Sequence, residues 1–111
     1  MKRSASVLVL AAMVAAPAVL IGQDAAKVEK GKTVYAANKC QTCHMAEGKG
    51  NKRFPLDRVG AKLSEADIRT WITAPAEMEA KLPNPPKIKM KAYKLPAEDL
   101  DALVAYMQSL K

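Results

Sequence analysis

The chain has 111 residues, a formal net charge of +7, two cysteines and one histidine. That length accommodates one domain. The cysteine and histidine counts exclude a multi-disulfide scaffold and a four-ligand Cys/His zinc site, because Cys40, Cys43 and His44 supply three ligands only. They also exclude an enzyme with a spare histidine: if the one present does chemistry, it does one job.

The first 22 residues read as an export signal. Lys2 and Arg3 form a short basic start, residues 4–16 are small and apolar, and Ala16-Pro17-Ala18 resembles a cleavage site. Cleavage is expected after Ala18 or after Gly22. The alternative is an uncleaved anchor, since residues 4–22 reach the minimum length for a membrane span. Either reading places residues 23–111 outside the cytoplasm, in the periplasm, free if the signal is cut and membrane-anchored if it is not. This 89-residue domain keeps 16 basic and 11 acidic side chains, a net charge of +5. The charges are interspersed and the aromatics number five, so neither the basic density nor the stacking platform of a nucleic-acid binder is present.

Asp24–Lys39 predicts a helix with Val28, Gly31 and Tyr35 on one face. A glycine inside a helix costs up to about 1 kcal/mol against alanine, so Gly31 is expected where another element packs closely. Residues 45–62 carry Gly48, Gly50, Pro55 and Gly60 and read as loop. Ser64 is placed to cap a second helix, with Leu63, Ile68, Trp71 and Ile72 as its apolar stripe and Pro75 as its end. Residues 79–95 contain Pro83, Pro85 and Pro86 and are expected to be largely extended. Pro96 then opens a last helix with Glu98, Asp99 and Asp101 at its start and a stripe of Leu100, Leu103, Val104, Met107 and Leu110. No strand alternation or internal repeat is visible. The prediction is an all-α fold of three main helices and long loops. Three short helices cannot bury enough apolar surface alone, and loops of this length are usually functional or organised by something else. A large apolar cofactor would complete the core.

Cys40-Gln41-Thr42-Cys43-His44 is a C-x-x-C-H sequence, the attachment signature of c-type haem. Two thiols three residues apart can each bond one vinyl group of a porphyrin edge, and the adjacent imidazole then falls beneath the iron. A redox-active C-x-x-C pair is the main rival, but it normally follows a strand and opens a helix. Here the motif follows a helix and enters a glycine-rich loop. A plain structural disulfide is the other rival. A second axial ligand would have to be Met or Lys, or the site would be open. Met45 adjoins His44 and cannot reach the opposite face, and Met107 sits on the core stripe of the last helix. Met78 and Met90 remain, and Met90 is favoured because an extended loop can swing round the porphyrin edge.

These residues resemble class I cytochrome c in its small bacterial form, over essentially all of residues 23–111. The resemblance rests on Gly31 and Tyr35 ahead of Cys40–His44, on Pro55-Leu56 and Val59-Gly60-x-x-Leu63, and on Trp71-Ile72-Thr73-Ala74-Pro75. It continues through Lys89-Met90-Lys91-Ala92-Tyr93 to Leu103-Val104-Ala105-Tyr106. It implies one covalently attached haem c on Cys40 and Cys43, clasped by terminal helices that cross near Gly31, Tyr35, Leu103 and Tyr106. It implies His44 and Met90 as axial ligands, Pro55 as the source of the carbonyl that orients His44, and Trp71 packed on the haem or bonded to a propionate. Many relatives carry Pro after the methionine; Lys91 in this chain implies a less rigid loop. The function implied is a periplasmic one-electron carrier and not an enzyme. The alternatives are a cytochrome subunit of a larger respiratory or dehydrogenase complex and an open-site haem sensor or peroxidase. Lys87, Lys89, Lys91 and Lys94 flank Met90, so redox partners with acidic docking patches are expected.

Overall fold

The computed structural model describes residues 18–111. Residues 1–17, and with them most of the expected export signal, lie outside the described residues. Helix α1 (Ala18–Ala37) starts earlier than the sequence pattern suggests, so both expected cleavage points fall at its beginning. Among the described residues no helix is long and apolar enough to cross a membrane.

α1 buries Gly31, Val34 and Tyr35. It ends where Asn38 returns both its backbone N–H (3.0 Å) and its side-chain amide (2.8 Å) to the Val34 carbonyl. Lys39 then takes a left-handed conformation (φ 56°), which turns the chain sharply. A short 3₁₀ turn, Cys40–Thr42, follows. Next comes a small sheet that the sequence pattern did not predict: β1 (His44–Ala46), β2 (Lys49–Gly50) and β3 (Phe54–Pro55), in the order β2-β1-β3. β1 pairs antiparallel with β2 and parallel with β3, His44 facing Phe54 and Met45 facing Pro55. Gly50 sits at φ 109° with the His44 carbonyl where a Cβ would stand, so only glycine fits there.

Four helices complete the fold: α2 (Val59–Lys62), α3 (Glu65–Thr73), α4 (Pro75–Glu79) and α5 (Ala97–Ser109). The Ser64 side chain accepts the Asp67 N–H at 3.1 Å and caps α3, as expected. Pro75 ends α3 and also opens α4, a position where its missing N–H costs nothing. Residues 80–96 carry neither helix nor strand. Pro96 stands at the N-cap of α5, one residue before the first helical position expected for it, and makes no side-chain capping bond.

The core lies where α1, α3 and α5 meet. Val34, Tyr35, Ile68, Ile72, Leu103, Val104, Tyr106 and Met107 form its centre. Burying each large aliphatic chain contributes about 1.5–3 kcal/mol. α1 crosses α5 at Gly31, whose missing side chain admits the Ala102 carbonyl and the Tyr106 Cβ. The Tyr35 and Tyr106 rings meet edge to face, 5.6 Å between centroids. Lys30 reaches the start of α5 and pairs with Glu98 at 2.8 Å and Asp99 at 3.5 Å.

Candidate functional site

Cys40 and Cys43 are presented by the 3₁₀ turn. That helix has three residues per turn, so side chains three apart lie one above the other, and the Cys43 N–H closes the turn on the Cys40 carbonyl at 3.2 Å. Both thiols border one cavity of about 580 Å³. Burial pushes the free Cys40 thiol up to about 11. A redox-active or nucleophilic cysteine needs the opposite shift, towards thiolate at neutral pH, so burial does not activate Cys40.

His44 starts β1 and lines the same cavity. Its ring Nδ1 lies 3.0 Å from the Phe54 carbonyl oxygen. A carbonyl only accepts, so Nδ1 carries the proton and Nε2 is left with its lone pair. Burial lowers the His44 pKa, and the bond to Phe54 opposes that shift. The imidazole is therefore held neutral and oriented, the form a metal requires.

The orienting carbonyl belongs to Phe54 and not to Pro55, which corrects the sequence expectation by one residue. The sheet register explains it. His44 stands opposite Phe54 in the parallel pair, and successive carbonyls along a strand point in alternate directions. The Leu56 N–H continues the ladder to the Met45 carbonyl at 2.7 Å. Pro55 itself lines a neighbouring cavity of about 350 Å³.

Met90 and Trp71 border the larger cavity as well. Trp71 also borders the smaller one, together with Val59 and Leu63, so it stands in the wall between the two. Met78 is buried in α4 and lines only the smaller cavity of the two, which removes it from the neighbourhood of His44. Met107 reaches the larger cavity from the core face of α5. The structure thus brings Cys40, Cys43, His44, Met90 and Trp71 around one space and leaves Pro55 and Met78 beside it.

Two residues at the site carry no motif signal. Asn51 ties the C-x-x-C-H segment together: its backbone N–H reaches the Gln41 and His44 carbonyls (3.2 and 3.0 Å), and its side chain bonds the Thr42 carbonyl at 3.1 Å. Glu79 is buried in the cavity wall, and the pattern of residues 79–95 marks only an extended segment there. An Asn seven residues beyond the histidine was the only available signal for the first.

The residues present fit a large, flat, mostly apolar group. The cavity lies in the size range of cofactor sites, about 300–1,000 Å³, and its lining includes Leu56, Val59, Leu63, Ile68, Ile72 and Leu103. Tyr35 also borders it; its hydroxyl is buried without a hydrogen-bond partner among the described residues, and burial pushes its pKa up to about 12.

A family model described as Cytochrome c matches residues 28–111. No curated protein and no solved structure matches the chain.

Proposed function

Because this chain belongs to the cytochrome c family, whose members bind haem c covalently through the C-x-x-C-H motif found here at Cys40–His44, we propose that it is an exported one-electron carrier whose haem iron is closed by His44 and Met90. One observation carries the reading: a single apolar cavity gathers the two thiols, an imidazole whose Nδ1 is committed to Phe54, and a methionine thioether. When bound, the haem supplies a one-electron iron couple.

The chain's own residues do the rest. Cys40 and Cys43 fix the porphyrin edge. His44 offers Nε2, made more basic by the Phe54 carbonyl. Met90 offers a thioether, a ligand that raises the potential relative to a second histidine. The apolar lining excludes water and disfavours extra charge, which favours the ferrous state. With both axial positions taken, no site is left for a substrate, and the protein would perform no bond chemistry.

The basic residues around Met90 support partners with acidic surfaces, although not all four lysines are equally free. Lys89 pairs with Glu79 at 3.3 Å, and the Lys91 ammonium lies 4.9 Å from the centre of the Tyr93 ring. Lys87 and Lys94 are exposed, as is Lys39 at the cavity mouth. We assign the docking charge chiefly to these three. Residues 1–22, with their basic start and apolar stretch, support export to the periplasm.

Carbon monoxide tests the closed iron. The ferrous protein is expected to bind it poorly at neutral pH, and Met90→Ala to bind it readily. Ready binding by the unaltered protein would favour the sensor or peroxidase reading instead.

A further inference from the structure

Glu79 is the only buried charged residue among the described residues, with 6 % of its surface exposed. It is the last residue of α4 and borders the same cavity as His44 and Met90. An apolar wall is a costly place for a carboxylate unless each oxygen is engaged. Both are. Oε1 accepts the backbone N–H of Met90 at 3.3 Å, and Oε2 pairs with Lys89 Nζ at 3.3 Å. The two partners are neighbours in sequence, and one of them, Met90, lines the same cavity as His44.

The surroundings make this contact consequential. Residues 80–96 have no helix or strand to hold them. Beyond Met90 the segment is fastened again where the Tyr93 N–H meets the Ile72 carbonyl at 2.9 Å. On the near side, Glu79 is the fastening. It stands on a helix anchored by buried Pro75 and Met78, so its carboxylate is a fixed point against which a segment without helix or strand is held.

We propose that Glu79 is the positioning residue for Met90: its buried carboxylate holds the Met90 backbone N–H, with the Lys89 ammonium on its other oxygen, and sets how firmly the thioether competes with outside ligands for the iron. This rests on the reading that Met90 is an axial ligand. A hydrogen bond to a charged acceptor is among the stronger ones in proteins, and its loss loosens whatever it positioned. The clamp acts through the backbone, so it does not touch the iron itself.

The test is imidazole binding to the ferric, haem-loaded protein, measured by optical titration beside the denaturant midpoint of each variant. Glu79→Ala is expected to raise imidazole affinity about tenfold or more. Glu79→Gln keeps an oxygen acceptor but loses the charge, and a rise of about threefold is expected. If Glu79→Ala does not fold, Glu79→Gln decides. Wild-type imidazole affinity in the folded Glu79 variants, with only a lowered unfolding midpoint, would mean a purely structural role and would overturn the clamp. Met90→Ala separates the two claims. If it binds imidazole far more tightly than wild type while the Glu79 variants do not, the clamp alone falls. If it binds no more tightly than wild type, Met90 is not the ligand, and both fall.

Discussion

His44 is prepared for the ligand role proposed for it by the ring nitrogen that faces Phe54. Nδ1–H points at the Phe54 carbonyl, and that one bond fixes tautomer and ring orientation together. The motif alone names His44 as the candidate ligand. The orienting carbonyl was legible only to within one residue, because it depends on a strand register that two- and three-residue strands do not announce. Asn51 illustrates the same limit. It binds three carbonyls of the attachment segment and accepts the Arg53 N–H at 2.9 Å, yet a lone Asn in a glycine-rich loop reads as an ordinary turn residue. Asn51→Ala removes the side-chain half of this network. It should lower the stability of the haem-loaded protein by about 1–2 kcal/mol, read from guanidinium unfolding. An unchanged midpoint would show that the attachment segment holds its shape without that brace.

At the scale of elements, the helices were the legible part. The stripe from Leu100 to Leu110 predicts α5, Ser64 predicts the start of α3, and the costly Gly31 predicts a close crossing that the structure places against Ala102 and Tyr106. The small sheet, α2 (in a stretch read as loop) and α4 were not legible. Their lengths, two to five residues, are too short for any periodicity, and tertiary position rather than propensity makes them. α1 runs further toward the N-terminus than its apolar face requires. At the crossing, two effects of opposite sign can be compared. Gly31→Ala gains up to about 1 kcal/mol of helix propensity. The added methyl would overlap the Ala102 backbone carbonyl, which cannot swing away as a flexible side chain would, and overpacking of this kind costs about 1–3 kcal/mol. The clash should win, and thermal unfolding of Gly31→Ala should fall by several degrees. A rise in the unfolding temperature would mean that α1 and α5 can separate freely.

For the whole molecule, the sequence showed that the helices alone do not make a sufficient core. A cavity of about 580 Å³ bordered by Leu56, Ile68, Ile72 and Leu103 is the structural form of that deficit, and the haem proposed for this site would fill it. It would then be both the functional group and a large share of the interior. The charge pattern belongs to this scale too. With Lys89 engaged by Glu79, a smaller set of exposed lysines remains to steer partners. Electron transfer with an acidic protein partner should slow as ionic strength rises, because screening shortens the reach of exposed charges to about 8–10 Å at physiological salt. Stopped-flow rates that do not change with salt would rule out electrostatic steering through this face.

The central claim is a single c-type haem closed by His44 and Met90. The most direct measurement is the absorption spectrum of the purified protein, ferric and ferrous, beside that of Met90→Ala. Bands of c-type haem are expected in both proteins, and a weak far-red band of methionine-bound ferric iron in the wild type only. Haem bands without the far-red band in the wild type, or a far-red band that survives in Met90→Ala, would contradict that claim.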